Sequence, residues 1–194
     1  PLRFHRYKTI RRSLIMKSYN LFALLSLLVF SSCSTVLVNT TNRDGIQENP
    51  TRRTSGTIVE DKAIETKVSV NLKAEDIAFR NTRINVISHN GVVLVVGQIE
   101  SESLKAKATQ VALEASAKIR RIHNELEITN KTGLLSRGND TWIAAKVRTS
   151  MLIDDEVPAN QIRIVVENGA VYLMGIISES EGETAANLAR NVAG

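Results

Sequence analysis

Cysteine is almost absent from this chain of 194 residues. Cys33 is the only one, so no internal disulfide can form. With three histidines besides that thiol, the chain has little material for a metal site, and we expect neither a metal nor another cofactor. Aromatic residues make up 4% of the chain and hydrophobic residues 43%. This composition excludes a disordered tail, a collagen-like chain and a disulfide scaffold.

Acidic residues are absent from the first 32 positions, which hold six basic residues. The remaining residues carry 19 basic and 20 acidic side chains, so the net charge of +5 belongs to the leading segment. Lys118, Arg120 and Arg121 form only a small basic patch, and a duplex needs many phosphate contacts. We therefore expect no nucleic-acid partner. No phosphate loop, metal spacing or nucleophile motif is present, so we expect no small-molecule substrate and no enzyme.

Residues 16–32 are typical of a secretory signal. Met16 and Lys17 precede the apolar run Leu21–Phe30, which is too short to span a bilayer, and Ser31 and Ser32 lead into Cys33. This segment resembles the bacterial lipobox, so Cys33 is predicted to carry the lipid, and Ser34 after it favours the outer membrane. An ordinary signal peptide with an incidental cysteine is the alternative. Residues 33–56 are polar and are predicted to be a flexible tether.

The rest of the chain contains two copies of one pattern. DKAIETKV from Asp61 returns as DTWIAAKV from Asp140, and Asn90-Gly91 returns as Asn168-Gly169. A long self-similar period indicates tandem domains. We place the first repeat at residues 57–128, a linker at 129–139 and the second repeat at 140–194.

The elements of a repeat follow from periodicity. Asp61 and Asp140 are predicted helix N-caps, and an apolar residue every fourth position predicts a helix after each. The Asn-Gly pairs predict β-hairpins, whose second strands end at Gly97 and Gly175. A helix over 101–118 and a strand over 122–128 complete an αββαβ unit. The fold class is α+β, with each small mixed sheet covered by two helices on its one apolar face. The printed sequence stops before a last strand of the second repeat. Either this repeat is a fragment, which we expect because an unpaired strand edge favours aggregation, or its sheet is open at one strand.

Two polar features have ordinary structural interpretations. His89 adjoins the turn at Asn90-Gly91, and Glu167 takes its place in the second repeat, so His89 is predicted to be a surface turn residue. Asp154, Asp155 and Glu156 lack the spacing of a calcium loop and are predicted to form a solvated loop.

Trp142 is the only tryptophan, and a helical wheel places it opposite the apolar stripe of its helix. Lys146, Thr149 and Leu152 share that outward face. The first repeat has Ala63 and Lys73 at the positions of Trp142 and Leu152, so the fold does not require these apolar groups. An exposed apolar patch indicates a contact, either with a membrane or with protein, including the first repeat or the linker.

The tandem αββαβ units, paired Asn-Gly turns, strand glycines and lipobox together resemble the dual BON-domain lipoproteins of Gram-negative bacteria. The resemblance implies a non-enzymatic protein on the periplasmic face of the outer membrane that supports envelope integrity. It also implies that the first helix of the second domain binds an anionic phospholipid membrane, here through Trp142, Lys146, Thr149 and Leu152. The alternative is a periplasmic interaction module whose Trp142 face docks an envelope protein.

Overall fold

A computed structural model describes residues 52–129 and 134–193, all within a compact unit that spans residues 48–194. The predicted signal, Cys33 and most of the predicted tether lie outside the described residues. In the first repeat the elements are α1 (Ser55–Glu75), α2 (Ile77–Asn81), β1 (Ile84–His89), β2 (Val92–Ile99), α3 (Glu102–Ala115) and β3 (Arg121–Ile128). In the second they are α4 (Leu134–Ile153), a 3₁₀ turn (Ala159–Gln161), β4 (Ile162–Glu167), β5 (Ala170–Gly175) and α5 (Glu179–Ala193).

The first repeat has the predicted αββαβ order, with the short helix α2 added after α1. Its sheet has the order β1-β2-β3, in which β1 is antiparallel and β3 parallel to β2. In the described part of the second repeat, β4 and β5 form an antiparallel pair. The prediction of an α+β fold with small sheets and helices is confirmed.

Both hairpins turn at Asn-Gly, as predicted. Asn90 and Gly91 have φ of 54° and 74°, and Asn168 and Gly169 have φ of 51° and 81°. These positive values are those that a type I′ turn requires. Gly97 does not end β2, which continues to Ile99, so that prediction is wrong. Gly97 pairs with Ile84 at the end of the β1–β2 ladder, where an added Cβ would clash with the Arg83 carbonyl oxygen.

Each repeat has its own core beneath its helices. The predicted stripe of α1 is buried against the first sheet and α3, and the stripe of α4 against the second sheet and α5. The first core includes Ile64, Val68, Leu72, Phe79, Val93, Val95, Ile99, Ala108, Ala112 and Leu126. The second includes Ile143, Val147, Met151, Val157, Ala159, Ile162, Ala185 and Ala189.

The first hairpin buries both of its faces, whereas the sequence predicted one buried face. Ile87, Leu94 and Val96 point away from α1 and α3 and form a third buried cluster with Val165 of β4. Tyr172 and Met174 of β5 pack against the same cluster. The second repeat therefore covers the face that the two helices leave open, which explains the unbroken apolar run in β2.

Asp61 and Asp140 are not N-caps. Helix α1 begins at Ser55 with Thr54 as its cap, and α4 begins at Leu134, so both aspartates lie within helices. The Asp61 carboxylate instead accepts hydrogen bonds from the backbone N–H groups of Asn90 (2.8 Å) and Gly91 (2.9 Å). Asp140 accepts from Asn168 and Gly169 at 3.0 Å and 2.8 Å. Each aspartate thus fixes the hairpin turn of its repeat to its first helix.

Candidate functional site

Helix α4 presents Trp142 to solvent, as the sequence predicted. Its opposite face supplies Ile143, Val147 and Met151 to the core of the second repeat, and these residues are at most 6% exposed. Residues three and four apart share a helix face, so these three residues define the inward face of α4. Trp142 lies on the opposite side of the helix and therefore points outward. The indole side chain is 59% exposed, so it is not a packing residue of this fold.

Lys146 and Thr149 continue the outward face from Trp142. The Lys146 Nζ atom lies 4.1 Å from the centroid of the Trp142 ring, within the range of a cation–π contact. Thr149 is exposed, and its hydroxyl donates to the Ala145 carbonyl oxygen at 2.9 Å within the helix. The face therefore combines an amphipathic ring with a cation held directly over it.

Two large aliphatic side chains are exposed where α4 ends. Leu152, which the sequence analysis named, is 58% exposed, and Ile153 is 77% exposed. Ile153 was not among the predicted residues of this face, although it lies four positions after Thr149 and in line with Trp142. Its spacing from Trp142 was a sufficient signal, because residues eleven apart lie on nearly the same side of a helix.

The charges around this face are unequal. Lys146 is the cation of this face, whereas Arg137 and Arg148 lie more than about 100° around the helix from Trp142, and the Arg148 guanidinium donates to the Ala159 carbonyl oxygen at 3.0 Å. The one acid of α4, Asp140, is buried on the hairpin turn. The acidic residues 154–156 follow the last turn, and the Asp154 carboxylate accepts a hydrogen bond from the Glu156 backbone N–H at 2.9 Å. The middle of the face is therefore basic and apolar, whereas its carboxyl end adjoins acids.

The equivalent face of α1 is a natural comparison. It exposes Ala63 and Lys67 where α4 has Trp142 and Lys146. Val59 and Val70 are 70% and 58% exposed on this face, but Lys73 and Ala74 replace the large aliphatic pair at the helix end. The two helices thus share the cation and some exposed aliphatic surface, and they differ in the tryptophan ring and the aliphatic pair.

His89 is not a surface residue, so that prediction is wrong. Its side chain is 5% exposed because the second repeat covers the end of β1. Burial, with the charges of Arg53 and Arg163 nearby, lowers the pKa of His89 to about 4, although the charge of Asp61 acts in the opposite direction. The ring is therefore neutral at pH 7. Its Nδ1 atom is the one buried side-chain nitrogen or oxygen of the described residues without a hydrogen-bond partner.

Polar contacts join the two repeats beside that histidine and at the opposite end of the β1–β2 hairpin, where Gln98 lies. The Arg163 guanidinium donates to the Glu65 carboxylate at 2.8 Å and to the Ser88 carbonyl oxygen at 3.3 Å. The Gln98 amide donates to the Glu167 carboxylate at 3.0 Å. Burial favours a raised pKa for Glu65, but Lys62, the Ser88 backbone N–H and Arg163 outweigh it and hold that pKa below its ordinary value. Glu65 is thus an ionised acceptor between the repeats.

Neither a metal cluster nor a membrane-spanning helix is found in the described ranges. Within residues 52–129 and 134–193, no three His, Cys, Asp or Glu side chains converge to hold an ion. In the same ranges, no helix has both the length and the apolar character needed to cross a bilayer.

Comparisons with known proteins agree with the repeats. The model of the BON domain matches residues 60–130 and 139–194. The chain is 34% identical to a 21 kDa hemolysin of Actinobacillus pleuropneumoniae and 30% identical to the outer membrane lipoprotein DolP of Haemophilus influenzae. Each match extends over 142 residues and 73% of both chains. An osmotically-inducible protein Y of Escherichia coli is 26% identical over 142 residues, 72% of this chain and 70% of that one. With two matched domains and relatives at this level of identity, the chain belongs to the BON-domain family.

Proposed function

We propose that this protein is a non-enzymatic phospholipid-binding lipoprotein that lies on the periplasmic face of the outer membrane and supports envelope integrity. The similarity to a protein named outer membrane lipoprotein DolP supports the location. The outward face of α4 supports the binding: Trp142, Lys146, Thr149 and Leu152 contact an anionic membrane, and Ile153 joins them.

The observation that carries the proposal is the exposure of Trp142 beside a cation. A tryptophan ring favours the boundary between water and lipid, where its apolar body is buried and its N–H stays solvated. A basic residue near an anionic surface contributes about 1 kcal/mol, and Lys146 lies at the ring itself. Leu152 and Ile153 add apolar area that the core does not use.

The anchor belongs to the same proposal. We infer that Cys33, outside the described residues, is lipidated and that the signal is then cleaved between Ser32 and Cys33. Several acyl chains hold a protein at a bilayer stably, and the α4 face then adds a second contact. Cys33→Ala should abolish cleavage and incorporation of labelled fatty acid. Normal acylation of this variant would contradict the inference.

Vesicle binding tests the α4 face. The protein used is residues 34–194, which contain the whole compact unit of residues 48–194. Trp142→Glu should weaken sedimentation with phosphatidylglycerol vesicles by about tenfold or more, because it removes the ring and adds a repelled charge. The free energy of unfolding should change by less than about 0.5 kcal/mol, since the ring is exposed.

Ala63→Glu is the matched control, because it places the same charge at the same position of α1. It should leave vesicle binding nearly unchanged. If Trp142→Glu remains folded and binds vesicles like the unaltered protein, the proposal is wrong and the face is free to dock an envelope protein. If neither variant binds vesicles, an added negative charge weakens binding wherever it is placed, and the α4 face is not the specific contact.

A further inference from the structure

A cleft of about 590 Å³ lies between the two repeats, next to the α4 face. The first repeat and the segment before it line the cleft with Arg52, Arg53, Ile58 and His89. The second repeat lines it with residues that include Leu152, Val157, Asn160 and Ile176. This volume is that of a small-molecule site, which usually falls between about 300 and 1,000 Å³.

The cleft is basic at one side. Arg52 and Arg53 are its charged residues, and no aspartate or glutamate lines it. Arg53 uses one N–H group on the Asp61 carboxylate at 3.0 Å, and a guanidinium has further donors to offer. Arg52 is exposed and has no hydrogen-bond or ion-pair partner within the part of the chain that the structure describes.

A buried polar group lines the same cleft. His89 is 95% buried, and its Nδ1 atom lacks a hydrogen-bond partner. A buried polar atom without a hydrogen bond is rare in a native fold, and a bound ligand with an acceptor oxygen can supply the missing hydrogen bond. The opposite wall is aliphatic through Leu152, Val157 and Ile176. A ligand that fits both walls has an anionic head and an apolar body.

We propose that this cleft binds one phospholipid molecule, with its phosphate at Arg52 and Arg53 and the first methylene groups of its chains against Leu152, Val157 and Ile176. Bidentate contact with guanidinium suits a phosphate group, and the aliphatic wall favours a lipid over free phosphate. Leu152 belongs both to the cleft and to the α4 face, so a lipid drawn from a contacted membrane reaches the cleft directly. The inference rests on the proposed function for the source of the lipid, but the site itself is independent of Trp142.

Titration with single lipid molecules tests the cleft apart from the membrane face. Labelled residues 34–194 are titrated with dihexanoylphosphatidylglycerol below its micelle concentration, and the amide signals of Ile58 and Asn160 are followed by NMR. These signals should shift saturably. Inorganic phosphate should produce the same shifts at least about tenfold more weakly, because it lacks the apolar contact.

Arg52→Ala should weaken lipid binding by about tenfold, the usual effect of losing a charged hydrogen bond. Arg83→Ala removes another exposed arginine, which lies outside the cleft, and should leave binding unchanged. Asn160→Trp, at an exposed position of the cleft, should block binding by filling it while the protein stays folded.

Either of two results overturns the inference. One is equal affinity of the Arg52→Ala and Arg83→Ala variants, and the other is phosphate binding as tight as lipid binding. Both leave the proposed function intact if vesicle binding still requires Trp142. Conversely, saturable cleft shifts in a Trp142→Glu protein that no longer sediments with vesicles would support the cleft and confirm that it is a separate site.

Discussion

At the scale of single residues, His89 shows the limit of sequence analysis. A histidine beside an Asn-Gly turn is ordinarily solvated, and its own repeat leaves it at the end of a strand. It is buried because Val165, Tyr172 and other residues far along the chain cover this side of the hairpin. No local pattern contains that information, because the covering residues lie about 80 positions away.

The burial of His89 makes stability depend on pH. In the unfolded chain its pKa is 6.5 and in the folded protein about 4, so only the unfolded state takes up the proton between these values. The free energy of unfolding should therefore fall by about 1.5 kcal/mol between pH 6.5 and pH 5. His89→Gln should flatten this dependence in urea unfolding curves.

Nearby carboxylates do not disturb that interval. Burial favours a raised pKa for Asp61, but hydrogen bonds from Gly91, Ser88, Asn90 and Arg53 hold it below 3.8, and Glu65 is likewise held below 4.5. Their contributions to stability are lost only as the pH falls below those ordinary values. An unchanged slope in the glutamine variant between pH 6.5 and pH 5 would show that His89 has the same pKa in the folded and unfolded states, and would contradict the prediction.

At the scale of elements, periodicity predicted most of the fold. The apolar stripes of α1 and α4, the two Asn-Gly turns and strand β3 all follow from local spacing. The outward direction of Trp142 follows from the same wheel. Periodicity could not locate the starts of α1 and α4, because an aspartate before an apolar stripe is also a typical N-cap. The carboxylates of Asp61 and Asp140 in fact bind a turn about 29 residues later in each repeat.

Asp61 and Asp140 should differ in their importance. Both accept two backbone N–H groups of a turn, but Asp61 also accepts from Ser88 Oγ at 2.7 Å and pairs with Arg53 at 3.0 Å. Asp61→Asn should lower the free energy of unfolding by about 3 kcal/mol, because an amide nitrogen then faces N–H donors in a buried place. Asp140→Asn should cost about 1–2 kcal/mol. Urea unfolding of both variants makes the comparison, and an equal or reversed order would contradict it.

At the scale of the whole molecule, the repeats behave as one folded body. Their shared cluster of Ile87, Leu94, Val96 and Val165, together with the Glu65–Arg163 pair, gives an apolar and ionic seam. The sequence revealed two similar repeats but not this seam. Its apolar residues lie on strands, where alternation assigns them to the second face of a sheet. The sequence spacing does not indicate which residues cover that face.

Val165→Asp should break the seam. Val165 is 8% exposed, and a carboxylate there has no partner to offset its desolvation. The free energy of unfolding should fall by about 3 kcal/mol, and one calorimetric transition should become two as the repeats uncouple. Val70→Asp is the control, since Val70 is 58% exposed, and it should keep a single transition. A single transition in Val165→Asp as well would mean that the repeats do not depend on this cluster.

Trp142 also gives the protein a built-in optical reporter. As the only tryptophan among 194 residues, it is the source of all indole fluorescence, and the described structure places it at the surface under an ammonium group. Its emission therefore reports the polarity of one helix face, free of background from the core. Any partner that dehydrates this face will shift the emission to shorter wavelength, whereas a ligand confined elsewhere on the protein will leave the spectrum of Trp142 as it was.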